Sequence, residues 1–206
     1  MSKIVSAFIS PHPPIILPSV GSKEDRAIVK KTIESLEILA EKLKQSSPDV
    51  ILISSPHPDW GFNVPLYFLA SDFKGRIEKI LIGIESPSFY FQEGKKLYES
   101  KAKNQGLKVA LIASGDLSHC LKEEGPYGFH PQSPKFDKAL IDYLKEKDID
   151  NFLKLNEYFP EASECGLRSF SFLLGILEAS GQTWEAEILS YEGPFGVGYL
   201  VANFKL

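Results

Sequence analysis

The sequence is short of the features that would assign it to several large classes. It has only two cysteines, Cys120 and Cys165, far apart in the chain. That excludes a disulfide scaffold and fits a reducing, cytoplasmic setting. It has no run of apolar residues approaching the roughly 18 that span a bilayer. The apolar start, MSKIVSAFISPHPPIILP, is broken by Pro11, Pro13 and Pro14 and lacks a cleavage-type ending, so it does not read as a leader. There is no basic block, and the net charge is -4, so nucleic acid and a membrane surface are poor partners. Internal repeats, low-complexity stretches and linker-like segments are also missing. With 206 residues, one domain over residues 1–206 is expected.

What is present is an alternation of strand and helix patterns. Lys3 to Ile9 alternates like a strand and stops at Ser10-Pro11. Ser22 to Gln45 carries apolar residues at helical spacing and ends at Ser46-Ser47-Pro48-Asp49. Val50 to Ile53 is a short, wholly apolar run, the mark of a strand buried on both faces. Strands are expected again over Ile77 to Ile84 and Leu107 to Ala113, with a helix over Ser88 to Gln105 between them. Three helices follow, over Lys135 to Lys147, Asp148 to Tyr158 and Glu161 to Ser180. Trp184 to Tyr191 and Phe195 to Phe204 read as strands joined by Glu192-Gly193-Pro194. The pattern predicts an α/β fold: a mixed, largely parallel central sheet with helices on both faces and a C-terminal antiparallel hairpin at the sheet edge. That glycine-rich hairpin could also pair with a second subunit.

The four histidines are placed unevenly. His12, His57 and His119 each follow a predicted strand, whereas His130 sits in the loop Gly125-Pro126-Tyr127-Gly128-Phe129-His130-Pro131. Ligands of open α/β sheets bind beyond the carboxyl ends of parallel strands, so three histidines at such ends can converge. Prolines flank two of them and stiffen their loops, which suits metal coordination. Two neutral imidazoles and one carboxylate form the facial set of non-haem Fe(II) oxygenases. The best stretch for the carboxylate is Pro160-Glu161-Ala162-Ser163-Glu164-Cys165-Gly166-Leu167-Arg168. Glu161 reads as a helix-dipole partner. Glu164 is the expected ligand, and Arg168, four residues on, either orients it, holds an anionic substrate group or forms a surface ion pair.

The segments SPHPP (10–14), SSPHPDW (54–60), SGDLSH (114–119), GPYGFHP (125–131), SECGLRSF (163–170) and GPFGVGY (193–199) together resemble the LigB-like superfamily. That superfamily holds the catalytic subunits of class III extradiol dioxygenases and the Memo-like proteins. The nearest resemblance is to the dioxygenase-like domain of the AmmeMemoRadiSam proteins. It spans nearly the whole chain in the same order.

The resemblance implies Fe(II) held by His12, His57 and Glu164, with His119 as the acid–base histidine beside bound oxygen and the catechol hydroxyl. In Memo-like proteins a cysteine lies near the Glu164 position, and Cys165 matches it, so Glu164 and Cys165 both stand as third ligand, with Glu161 or Asp59 behind them. Asp116, His130, Tyr127 and Asp59 join Cys165 and Arg168 as residues around the site, and Trp60, Phe62 and Phe129 lie near the motifs. The implied reaction opens an aromatic ring beside its two hydroxyls with dioxygen, His119 taking and returning a proton. The alternatives are a Memo-like protein that binds copper or another ligand without ring cleavage, and a zinc site in which Asp116 and His119 activate water. The resemblance also implies a small aromatic substrate, dioxygen, and a radical-SAM enzyme as a companion in the same pathway. The chain is shorter than typical ring-cleaving subunits.

Overall fold

The fold is described from a computed structural model over residues 3–101 and 106–206. Six strands form one sheet: β1 (Lys3–Ser10), β2 (Val50–Ser55), β3 (Arg76–Leu81), β4 (Lys108–Ser114), β5 (Glu185–Glu192) and β6 (Tyr199–Lys205). Their spatial order is β3-β2-β4-β1-β6-β5. The pairs β2/β3, β2/β4 and β1/β4 are parallel, while β1/β6 and β5/β6 are antiparallel. This is the expected mixed sheet with its C-terminal hairpin.

The inner strands carry apolar runs because both faces are covered, whereas the edge strand β3 is charged and largely exposed. Side chains alternate across a pleated strand, and the two cores divide accordingly. Ala7, Ile9, Leu52, Leu111 and Ala113 point to one face, and Phe8, Ile51, Ile53, Ala110 and Ile112 to the other. Helices α5 (Ser133–Glu146) and α8 (Leu167–Ser180) cover the first face through Phe136, Leu140, Phe170 and Leu173. Helices α2 (Lys30–Ser46) and α3 (Trp60–Leu69) cover the second through Leu36, Leu39, Leu43, Phe62 and Val64. Each such fully buried side chain contributes about 1.5–3 kcal/mol. Helix α4 (Pro87–Lys101) packs outside α8. Their backbones approach so closely that a Cβ on Gly94 would lie 2.2 Å from the Phe172 carbonyl oxygen, and one on Gly175 2.0 Å from that of Phe91.

Several boundaries differ from the pattern. The first helical stretch is two helices, α1 (Lys23–Ile28) and α2, broken where Val29 turns into the core. Asp148 to Tyr158 forms two four-residue helices, α6 (Ile149–Phe152) and α7 (Leu155–Tyr158). The helix expected from Glu161 starts only at Leu167, because Ser163 adopts a left-handed φ of 54° after a 3-10 turn over Pro160–Ala162. Helix α3 was not expected at all, since Pro65 lies inside it. The end of the expected Ser88 to Gln105 helix, at 102–105, lies outside the described residues. Among the described residues, no helix is long and apolar enough to cross a membrane.

Candidate metal centre

Strands β2, β4 and β1 are neighbours, so their carboxyl ends lie side by side, and each closes on a buried serine: Ser55, Ser114 and Ser10. Beyond Ser10 the chain delivers His12, which is only 2% exposed. Its backbone N–H donates to Asp116 Oδ1 at 2.9 Å, joining the β1 exit to the β4 exit. Beyond Ser55 comes His57, half-buried. Ser55 Oγ accepts the His57 N–H and donates to the His57 carbonyl, both at 3.1 Å, closing a tight local turn. The imidazoles of His12 and His57 meet edge to face with centroids 5.1 Å apart.

The third partner is Cys165, in the turn before α8. Its Sγ lies 3.5 Å from His12 Nε2 and accepts the Asp116 N–H at 3.3 Å. The turn lies directly on the β4 exit, with the Gly166 N–H donating to the Asp116 carbonyl at 2.9 Å. A Cβ on Gly115 would sit 2.2 Å from Gly166 Cα, so this contact requires glycine. One ligand atom each from His12, His57 and Cys165 lies within 4.8 Å of the others.

The protonation states suit a metal. Burial, and then the neighbouring His57, pull the His12 pKa down to about 3, so the ring is neutral in the physiological range. Its Nδ1 is 2.9 Å from Ser114 Oγ, and that hydroxyl donates to the Gly61 carbonyl. Nδ1 therefore carries the proton and Nε2 presents a lone pair toward Cys165. Burial raises the Cys165 thiol well above its usual value, and the Asp116 carboxylate raises it further. Without a cation the site therefore holds a thiol; a bound cation would favour the thiolate.

Around this triad lie Asp116 and His119. Burial raises Asp116 to about 6, and its Oδ2 is 3.9 Å from His12 Nε2. Burial lowers the His119 pKa against the opposing pull of Asp116. Its Nε2 is buried with no hydrogen-bond partner, an orphaned donor or acceptor. Tyr127, 62% exposed, lies over the His119 ring at 5.2 Å, and Trp60, 43% exposed, over His57 at 5.1 Å.

The structure places the other expected site residues elsewhere. Glu164 is part-buried, its side chain enclosed with both oxygens engaged: Oε2 accepts the Leu167 N–H at 2.7 Å and Oε1 accepts from Arg168 Nη1 at 3.2 Å. Arg168 Nε also donates to the Glu85 carbonyl at 2.7 Å, tying the turn to the loop before α4. Asp59 is exposed at the start of α3, where its carbonyl accepts the Phe62 and Asn63 N–H groups. His130 Nδ1 accepts the Gln132 N–H in the turn leading to α5. Glu161 is exposed in the 3-10 turn. Sequence reasoning passed over Ser114, Gly61 and the buried Asp137, which accepts the Ser118 N–H at 2.9 Å and the Tyr191 hydroxyl at 2.6 Å. The serine closing each inner strand was the available signal.

These histidine, aspartate and cysteine positions fall inside a family match. Residues 6–58 and 56–202 match the family described as the catalytic LigB subunit of aromatic ring-opening dioxygenase. The chain belongs to the LigB family. A curated relative, protein CA_C1420 of Clostridium acetobutylicum, is 29% identical over 269 aligned residues, covering 96% of this LigB chain and 57% of that protein. A MEMO1 family protein of Methanococcoides burtonii is 26% identical over 146 residues, covering 68% of this chain and 51% of that one. The chain thus spans about half the length of these relatives. The crystal structure of the uncharacterized protein JW3007 of Escherichia coli K12 shares the fold, with a TM-score of 0.64 at 15% identity over 96% of this chain and 98% of that one.

Proposed function

We propose that this LigB-family chain is a metal-dependent protein of the Memo-like kind, with His12, His57 and Cys165 as ligands and His119 as the proton-carrying group beside them. The observation that carries this reading is the third partner: a thiol, Cys165, sits with the two imidazoles, while the neighbouring carboxylate of Glu164 is bonded elsewhere. Two imidazoles and a thiolate suit zinc, copper or iron, and leave positions for water or a substrate.

When bound, the ion supplies Lewis acidity and, for iron or copper, electron exchange. The chain's own residues do the rest. His12 presents a neutral Nε2, and Cys165 loses its proton as it becomes a ligand. His119, neutral through burial, accepts a proton at its orphaned Nε2, and the adjacent Asp116 carboxylate stabilises the imidazolium that forms. Trp60 and Tyr127 flank the histidines with exposed aromatic faces.

A second reading, opening of a catechol-like ring with dioxygen on Fe(II), is favoured by the orphaned His119 nitrogen and by these two aromatic rings, which fit a planar aromatic substrate. Anaerobic loading with Fe(II), Cu(II) or Zn(II) in turn, followed by metal analysis and oxygen uptake against a panel of catechols, separates the two. One equivalent of metal that His12→Ala and His57→Ala abolish, without uptake, supports the first reading. Uptake matched by a ring-opened product, lost in His119→Ala with metal retained, establishes the second. Stoichiometric metal in both histidine variants refutes both.

A further inference from the structure

Helix α3 contains a proline at position 65. In an unbroken helix the N–H of residue 65 would donate to the carbonyl of residue 61. Proline has no N–H, so the Gly61 carbonyl lacks its helical partner. The Ser114 hydroxyl meets it instead, at 2.5 Å. A hydroxyl has one proton to give. With that proton on Gly61, Ser114 Oγ can only accept from His12 Nδ1, 2.9 Å away.

The imidazole could have settled the other way. Asp116 Oδ2 lies 3.9 Å from His12 Nε2 and would favour a proton on that nitrogen. A proton there would block the lone pair that faces Cys165. The hydrogen-bond chain from Gly61 through Ser114 opposes this, and it starts from a carbonyl left free by Pro65.

We propose that Pro65 and Ser114 are positioning residues that fix the tautomer of His12, holding Nδ1 protonated and Nε2 open toward His57 and Cys165. The purpose rests on the metal-centre reading, but the tautomer belongs to the metal-free protein and is measured there. Carbonyl or hydroxyl groups that orient a ligating histidine in this way typically change metal affinity 10–100-fold when removed.

The test is long-range proton–nitrogen NMR on metal-free protein labelled in histidine with nitrogen-15, paired with Zn(II) affinity by chelator competition. Wild type is expected to show His12 protonated on Nδ1. Ser114→Ala is expected to move the proton toward Nε2 and to weaken Zn(II) binding by roughly 10–100-fold. Ser114→Thr, which keeps the hydroxyl, is expected to retain both properties. Pro65→Ala restores a competing donor to Gly61 and is expected to shift both readouts part of the way. A wild-type ring protonated on Nε2, or a Ser114→Ala protein with wild-type tautomer and affinity, overturns the proposal. Should Ser114→Ala not fold, Pro65→Ala decides, because alanine suits a helix interior; wild-type values there overturn it. A wild-type protein with the expected tautomer but no Zn(II) binding refutes the metal centre while upholding the tautomer lock.

Discussion

Arg168→Met tests how the turn carrying Cys165 is held. The Glu164 side chain is 7% exposed and that of Arg168 26%. The substitution removes the guanidinium that donates to Glu164 Oε1 and to the Glu85 carbonyl. Breaking a buried pair by deleting one member costs about 3–5 kcal/mol. Here the cost is lower, because water reaches Arg168 and Glu164 keeps its bond from the Leu167 N–H. Adding the hydrogen bond lost at Glu85, we expect a loss of about 3 kcal/mol at pH 8. The loss must depend on pH. Burial already raises the Glu164 pKa above its ordinary value, with Arg168 pulling it down. Without Arg168 it rises further, so the folded variant holds its proton to higher pH than the wild type. The deficit is therefore full above the variant's raised pKa, shrinks as pH falls from there to the wild-type folded pKa, itself raised above 4.5, and is constant below it. Urea unfolding at pH 8 and pH 5 measures it, and Glu164→Gln/Arg168→Met should recover part of the loss. A deficit equal at both pH values, or below about 0.5 kcal/mol at pH 8, would refute the reasoning.

Three further outcomes are expected. Cys165→Ser should keep the fold but weaken metal binding by more than the roughly 10–100-fold that outer partners cost; wild-type affinity by chelator competition would remove the thiol from the centre. Because the buried thiol is protonated at neutral pH, Zn(II) binding should release about one proton and strengthen about tenfold per pH unit. Calorimetry in buffers of different ionisation enthalpy reads this, and zero release would contradict a thiolate ligand. Asp137 is raised by burial from 3.8 to about 6, so its contribution to stability is present below 3.8 and lost as pH rises through about 6. Asp137→Asn should gain on the wild type across that window in urea unfolding, and a constant difference would show that Asp137 does not titrate there.

The sheet and the histidine exits were readable in the sequence because both depend on short-range pattern. Runs such as Val50 to Ile53 are apolar at every position only when both faces are covered, and His12 and His57 each lie two residues beyond the last residue of their strand, with His119 five beyond its own. The candidate third ligand was not readable in the same way. Glu164 and Cys165 are adjacent, and which one faces His12 depends on where α8 begins. The apolar periodicity runs back past Leu167, but the left-handed Ser163 stops the helix there and lets Glu164 fold back onto the Leu167 N–H. Helix α3 was hidden by Pro65, which reads as a breaker from local rules. The bonds that accommodate it, above all Ser114 to Gly61, come from a strand 53 residues away in the chain.

The centre also imposes an order on biosynthesis. His12 and Cys165 are 153 residues apart, and the thiol comes from the turn entering α8. On the ribosome both histidines emerge long before Cys165 does. More than a hundred residues separate His57 from the thiol, roughly five to twenty seconds at ordinary elongation rates. During that interval a nascent chain offers a cation two imidazoles and no thiolate. Under the proposed ligand set the three donors come together only once α8 has docked, which would make the ion a late clasp joining the first strand to the last helix.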